Sequence, residues 1–330
     1  MHHHRAHHRV RRHRRRARPG QRQAAHHVFF FLLHISFFSY VCNMNETTAY
    51  ISESLQTLYS REEIRSLTRL VIEYVCGLPL HEQILHKDRQ LSCTERERVR
   101  EVVRRLGQAE PIQYIVGEVC FGGLSFEVNP SVLIPRPETE EWVEYLLRRE
   151  TTPGLRVLDI GTGCGCLAVT LAKRLAGAEV AALDISAGAL ATAGRNAQRN
   201  RVSVTFRQAD ILTEPASAFP VFDLMVSNPP YVKESEKAAM ARNVLDYEPH
   251  QALFVPDNDP LLFHRRIADL AREKLAENGT LYLEINAACG ELTLNMLREK
   301  GFHPVKLMQD MFGRDRFVTA HIPPSESWHY

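Results

Sequence analysis

From residue 155 onward, short apolar runs alternate with stretches of helical periodicity, and nothing else in the chain constrains the fold as strongly. Strands are expected at 155–160, 179–184, 202–210, 222–227 and 280–285, then near 303–309 and 316–322. Helices are expected at 165–177, 186–200, 260–277 and 290–300. Strands separated by helices cannot pair as hairpins; each must cross over, so the sheet is mostly parallel and covered on both faces.

Four consecutive strands of this set end in polar residues. The first runs into Asp159-Ile-Gly161-Thr162-Gly163-Cys164-Gly165, the second ends at Asp184, the third at Asp210 and the fourth at Asn228. Open α/β sheets bind ligands outside the carboxyl ends of their strands, so these residues line one crevice. Alternate glycines let the backbone turn sharply and let a ligand lie against main-chain atoms. Cys166 stands where a dinucleotide fingerprint needs its last glycine, and no Gly-Lys-Ser/Thr follows, so the loop is not arranged around phosphates. Asp184 suits ribose hydroxyls, although an acidic residue ahead of a helix also serves as an N-cap.

Asn228-Pro229-Pro230-Tyr231 follows the fourth strand. Two prolines donate no backbone hydrogen bonds and resist helix. The main-chain carbonyls of Asn228 and Pro229, the Asn228 side-chain oxygen and the Tyr231 ring form a grip for a planar NH2 group: two acceptors and a face to stack on. A strand closing in a tight Pro-Pro turn would leave the same four residues.

Together, the glycine loop, Asp184 and Asn228-Pro-Pro-Tyr231 resemble class I S-adenosylmethionine-dependent methyltransferases that act on NH2 groups. Glu110-Pro-Ile-Gln-Tyr-Ile-Val-Gly117, Leu133-Ile-Pro-Arg-Pro-Glu-Thr-Glu140 and Gly313-Arg-Asp-Arg316 narrow the match. With these segments the chain is similar, over about 44–322, to the family that methylates the glutamine of peptide chain release factors. The resemblance implies a Rossmann-like class I methyltransferase domain with a seven-stranded sheet, S-adenosyl-L-methionine as cofactor and class 1 release factors as protein substrate. It also implies a cytoplasmic enzyme with no stable nucleic-acid partner. Carried over by position, Gly161, Thr162, Gly163, Cys164 and Gly165 wrap the cofactor's methionine part, and Asp184 holds its ribose. Asp210 and Ile211 face its adenine, although some relatives carry an aromatic in place of Ile211. Asn228 touches cofactor and substrate, with Pro229, Pro230 and Tyr231 completing the substrate grip. A nucleic-acid amine methyltransferase, with Tyr231 stacking a flipped base, and a non-catalytic cofactor-binding scaffold are the competing readings. No metal site is expected.

Ahead of this region, residues 44–115 form a small helical region with Leu55, Leu58, Ile64, Leu67, Leu70, Val71 and Val75 at helical spacing. It is the expected docking surface for a protein partner. Residues 116–133 suggest a linking β-hairpin, and Arg136 and Glu138, between two prolines and a helix start, form either a rigid elbow or a loop that closes over the cofactor. The methyltransferase domain spans 134–322, with 323–330 a tail. Residues 1–43 hold nine arginines and no acid; without them 32 basic face 39 acidic residues, a net of −7, which disfavours a nucleic-acid backbone as main partner. The apolar run at 28–41 is too short to span a membrane. Met44 is the expected start, with 1–43 an upstream extension; a membrane or export signal and a disordered basic tail are the competing readings. Seven scattered cysteines suggest reduced thiols.

Overall fold

The computed structural model describes residues 43–324. The expectations for the extension before Asn43 and for the end of the tail lie outside the described residues. The chain divides between Arg104 and Arg105 into two compact units.

The first unit is helical: α1 (Met44–Leu55), α2 (Arg61–Cys76), α3 (Leu80–Leu85) and α4 (Cys93–Leu106), whose last two residues pass into the second unit. Three of these helices start from reciprocal caps. Asn43 with Glu46, Ser60 with Glu63 and Ser92 with Glu95 each exchange side-chain and backbone hydrogen bonds, satisfying donors the first turn would leave orphaned. Asn43 thus belongs to the first element, one residue upstream of the boundary expected at Met44. The buried stripe of α2 is Ile64, Thr68, Val71, Ile72 and Val75. Leu70, read at helical spacing, is 44% exposed because spacing from Ile64 places Thr68 and Ile72 inward instead, and Leu58, 46% exposed, lies in the turn after α1.

In the second unit, α5 (Ile112–Val116) leads into a hairpin of β1 (Glu118–Phe121) and β2 (Leu124–Glu127). Its two-residue loop is Gly122-Gly123, both with positive φ, as a tight hairpin turn demands. After α6 (Pro137–Arg149) come β3 (Arg156–Ile160), α7 (Cys166–Arg174), β4 (Glu179–Asp184), α8 (Ala187–Arg199), β5 (Thr205–Gln208) and β6 (Phe222–Ser227). The chain then passes β7 (Val232–Lys233), α9 (Arg242–Leu245), β8 (Phe254–Val255), α10 (Leu262–Lys274), β9 (Leu275–Glu284), α11 (Gly290–Glu299), β10 (Val305–Gln309) and β11 (Asp315–His321). The main sheet has seven mostly parallel strands, as expected, and their order is β10-β11-β9-β6-β3-β4-β5; only the β10–β11 and β11–β9 pairings are antiparallel. From β3 the chain winds outward through β4 and β5, then returns to place β6 on the other side of β3. That reversal makes the β3/β6 boundary the topological switch point.

Period-two alternation splits the core across the sheet. Leu224 and Val226 face Trp142, Val143 and Leu167, while Met225 faces Ile267, Leu270 and Leu281. Each fully buried side chain of this size contributes about 1.5–3 kcal/mol. Among the described residues no helix is long and apolar enough to cross a membrane.

Two element ends differ from expectation. The strand expected over 202–210 is only β5, so Asp210 lies beyond it in a turn, with Oδ1 accepting from the Leu212 N–H at 2.9 Å. The strand expected at 280–285 begins at Leu275: Phe222 pairs with Leu275 but Leu224 with Thr280, and Asn278 at φ 63° absorbs the extra residues. Residues 276–278 hide the start of the strand, because between buried Leu275 and buried Gly279 they are partly or fully exposed.

Candidate active site

A cavity of about 220 Å³ opens at the β3/β6 switch point. Gly161, Gly163, Asp184, Asp210, Ile211, Asn228, Pro229 and Pro230, all expected site residues, line it. Ser131, Val132 and Leu133 from the segment after the hairpin and Phe263 and Ile267 from α10 complete its walls.

One wall is made of main chain. Gly161 and Gly163 have φ of 76° and 56°, and a Cβ built on either meets no atom within 4 Å, so the loop presents open backbone to the cavity. Gly165, at φ 83°, answers a different need: a Cβ there would lie 3.0 Å from the Ala193 Cβ, and its absence lets α7 and α8 close together. Asp184 holds the loop's shape, Oδ2 accepting from Gly163 N–H at 2.9 Å and Oδ1 from Ser186 N–H at 2.8 Å. Burial raises its carboxyl, and these backbone donors oppose the rise.

Thr162, Cys164 and Gly165, expected around the cofactor, do not line the cavity. The Thr162 hydroxyl donates to Asp159 Oδ2 at 2.6 Å, and the Cys164 side chain packs among Tyr114, Val128, Val132 and Ile134. Their contribution is to hold the loop. Asp159, missed as a site residue, is fully buried; its Oδ2 also accepts from Ala168 N–H at 3.2 Å, while Oδ1 has no partner. Burial pushes its carboxyl up to about 7, against the donors of Thr162 and Ala168. Asp159 does not line the cavity; with Thr162 it holds the glycine loop from behind.

The other wall is made of side chains from distant segments. Asn228 Nδ2 donates to Thr139 Oγ1 at 3.2 Å; Thr139 Oγ1 donates to Glu284 Oε2 at 2.6 Å; Trp142 Nε1 donates to the same oxygen at 2.9 Å. Tyr231, which does not line the cavity, donates its hydroxyl to Glu284 Oε1 at 2.9 Å. Asn286 Nδ2 donates to the Tyr231 carbonyl at 3.1 Å and fixes the backbone after the prolines. Glu284 is 1% exposed. Burial raises its carboxyl, and the Thr139, Trp142 and Tyr231 donors and the Arg316 charge oppose that rise. Burial, then the Glu284 charge, raises the Tyr231 phenol well above its ordinary value.

Arg136 pairs with buried Glu248 at 2.7 Å, and Glu248 Oε2 accepts from the Ile134 N–H at 3.1 Å. That pairing ties the Arg136 segment down as an elbow. Glu138 lies in the first turn of α6, and Glu234 is exposed and paired with Lys237. Among the described residues no cluster of His, Cys, Asp or Glu could hold a metal ion.

Two family profiles match the chain: "PrmC N-terminal domain" over residues 46–117 and "Methyltransferase small domain" over residues 143–253. A curated relative from Bacteroides thetaiotaomicron named release factor glutamine methyltransferase is 46% identical over 278 residues, covering 84% of this chain and 100% of that protein. Relatives of the same name from Flavobacterium psychrophilum and Chlorobaculum tepidum are 43% and 40% identical, covering 82% and 78% of this chain and 96% and 90% of theirs.

Proposed function

We propose that this chain, which belongs to the release factor glutamine methyltransferase family, methylates the side-chain amide nitrogen of the glutamine in the Gly-Gly-Gln loop of class 1 release factors. The observation that carries the reading is the cavity at the switch point, with a bare glycine loop on one side and Asn228-Pro229-Pro230 on the other. S-adenosyl-L-methionine, the cofactor, supplies an activated methyl group on its sulfonium.

The chain's residues have to make a poor nucleophile react, because the amide lone pair is delocalised into the carbonyl. Asn228 Oδ1 and the Pro229 carbonyl accept the two amide hydrogens, which localises electron density on nitrogen and fixes the direction of its lone pair. Orientation of this kind lowers a barrier by several kcal/mol, up to about 7–11 in the best intramolecular cases. Tyr231, which lies outside the cavity lining, is anchored through its hydroxyl to Glu284 and holds the backbone that follows the two prolines. Gly161 and Gly163 would give main-chain contact to the cofactor's methionine part, Asp184 would hold its ribose, and Asp210 and Ile211 would face its adenine. No strong base is required, since the nitrogen loses its proton readily once it carries the methyl. The enzyme works in the cytoplasm, where release factors act. The helical unit docks the substrate protein; its exposed Leu80, Ile84 and Leu85, beside Arg65, Arg69 and Lys87, offer an apolar and basic surface.

Methyl-labelled S-adenosylmethionine offered with purified release factor, DNA or RNA tests the reading. Label is expected on the release-factor glutamine; label on nucleic acid alone, or cofactor binding with no transfer, overturns it.

A further inference from the structure

We infer that Thr139 and Glu284 form a positioning relay that sets which way round the Asn228 side-chain amide faces the substrate. An amide has one accepting end and one donating end of nearly equal size, and only the accepting end can take a hydrogen from an NH2 group. Something must decide between the two, and neither Pro229 nor the cavity's apolar lining can.

The relay runs in one direction. Glu284 is sealed in the protein with Arg316 facing it, and its two oxygens accept from three donors: Tyr231 on Oε1, Thr139 and Trp142 on Oε2. The indole N–H can only donate, so Oε2 is an acceptor, and Thr139 spends its single proton on it at 2.6 Å. Thr139 Oγ1 then has lone pairs alone to offer. Across 3.2 Å it accepts from Asn228 Nδ2. The reversed amide would set two lone-pair-bearing oxygens against each other, so Oδ1 is left for the cavity. Thr139 is 2% exposed and is not itself one of the cavity's lining residues, so it acts through its hydrogen bond to Asn228.

The inference rests on the proposed amide methylation. Thr139→Val keeps the shape and removes the hydroxyl; Thr139→Ser keeps the hydroxyl. With release factor as substrate, Thr139→Val should lower kcat by about 10²-fold, the cost of a misplaced reacting group, leaving KM and cofactor Kd nearly unchanged. Thr139→Ser should restore most of the rate. A role in packing alone predicts the reverse ranking, with valine tolerated and serine costly. A Thr139→Val kcat near that of wild type overturns the relay.

A second readout does not depend on turnover. In the folded wild-type enzyme the Asn228 side-chain NH2, followed by 15N NMR, should show one proton protected from exchange, and Thr139→Val should lose that protection. Equal protection in both overturns the relay. Failure of the wild-type enzyme to methylate release factor, with the NMR difference intact, would overturn the proposed substrate and leave the relay standing.

Discussion

The two walls of the cleft solve the same problem with different materials. The glycine-loop wall is local: Asp159 and Asp184 lie on the adjacent strands β3 and β4, Gly161 and Gly163 on the loop that follows β3, and the two carboxylates accept from main-chain N–H groups or from a neighbour three residues away. The tetrapeptide wall is assembled from afar. Asn228 is held by Thr139, 89 residues away, and Thr139 by Glu284, 145 residues away. A main-chain wall is specified by where the backbone turns and tolerates change outside the loop. A side-chain wall is specified by donor and acceptor order, so one distant substitution can spoil it without disturbing the fold.

The sharpest break between the walls is Asn228→Ala. Removing the acceptor aimed at the reacting nitrogen should lower kcat by about 10²–10³-fold, as loss of one preorganised polar contact does elsewhere. Cofactor Kd, measured by calorimetry, should change little, because the loop wall is untouched. Equal losses in both would make Asn228 chiefly a cofactor residue and erase the distinction drawn here. Asp184→Ala should do the opposite. It leaves the Gly163 and Ser186 N–H groups without their acceptor, at about 1–3 kcal/mol each, so cofactor Kd should rise at least 10-fold while kcat at saturation stays near wild type.

This difference also explains what the sequence could and could not reveal. The parallel sheet was legible because β3, β4 and β6 are runs of apolar residues bounded by turns, and the glycine loop because its whole meaning lies within seven residues. Asn228-Pro-Pro-Tyr231 was legible as a set of acceptors. Its supporting partners were not: Thr139 sits inside a segment that carries the family resemblance and Glu284 at the end of an apolar strand, yet no periodicity or spacing joins 139 to 228 or 284. Only the sheet, by setting β9 beside β6 and packing α6 across them, brings the three together. Asp210 shows the opposite error, a strand end inferred from an apolar run that outlasts its pairing.

The mildest test concerns Asp159, the one loop-wall residue with an unsatisfied oxygen. Its carboxyl stands at about 7 in the folded protein against an ordinary 3.8. A raised acid favours folding fully below the unfolded value and loses that contribution as pH climbs through the folded one. The free enzyme should therefore lose stability from this group between about pH 4 and 7. Asp159→Asn, which cannot ionise, removes that dependence. The Tm difference between variant and wild type should move in the variant's favour by on the order of 5 °C from pH 4.5 to pH 8, as read by calorimetry without cofactor. A gap that is the same at both pH values would mean that Asp159 stays ionised throughout, and that the loop wall already satisfies it.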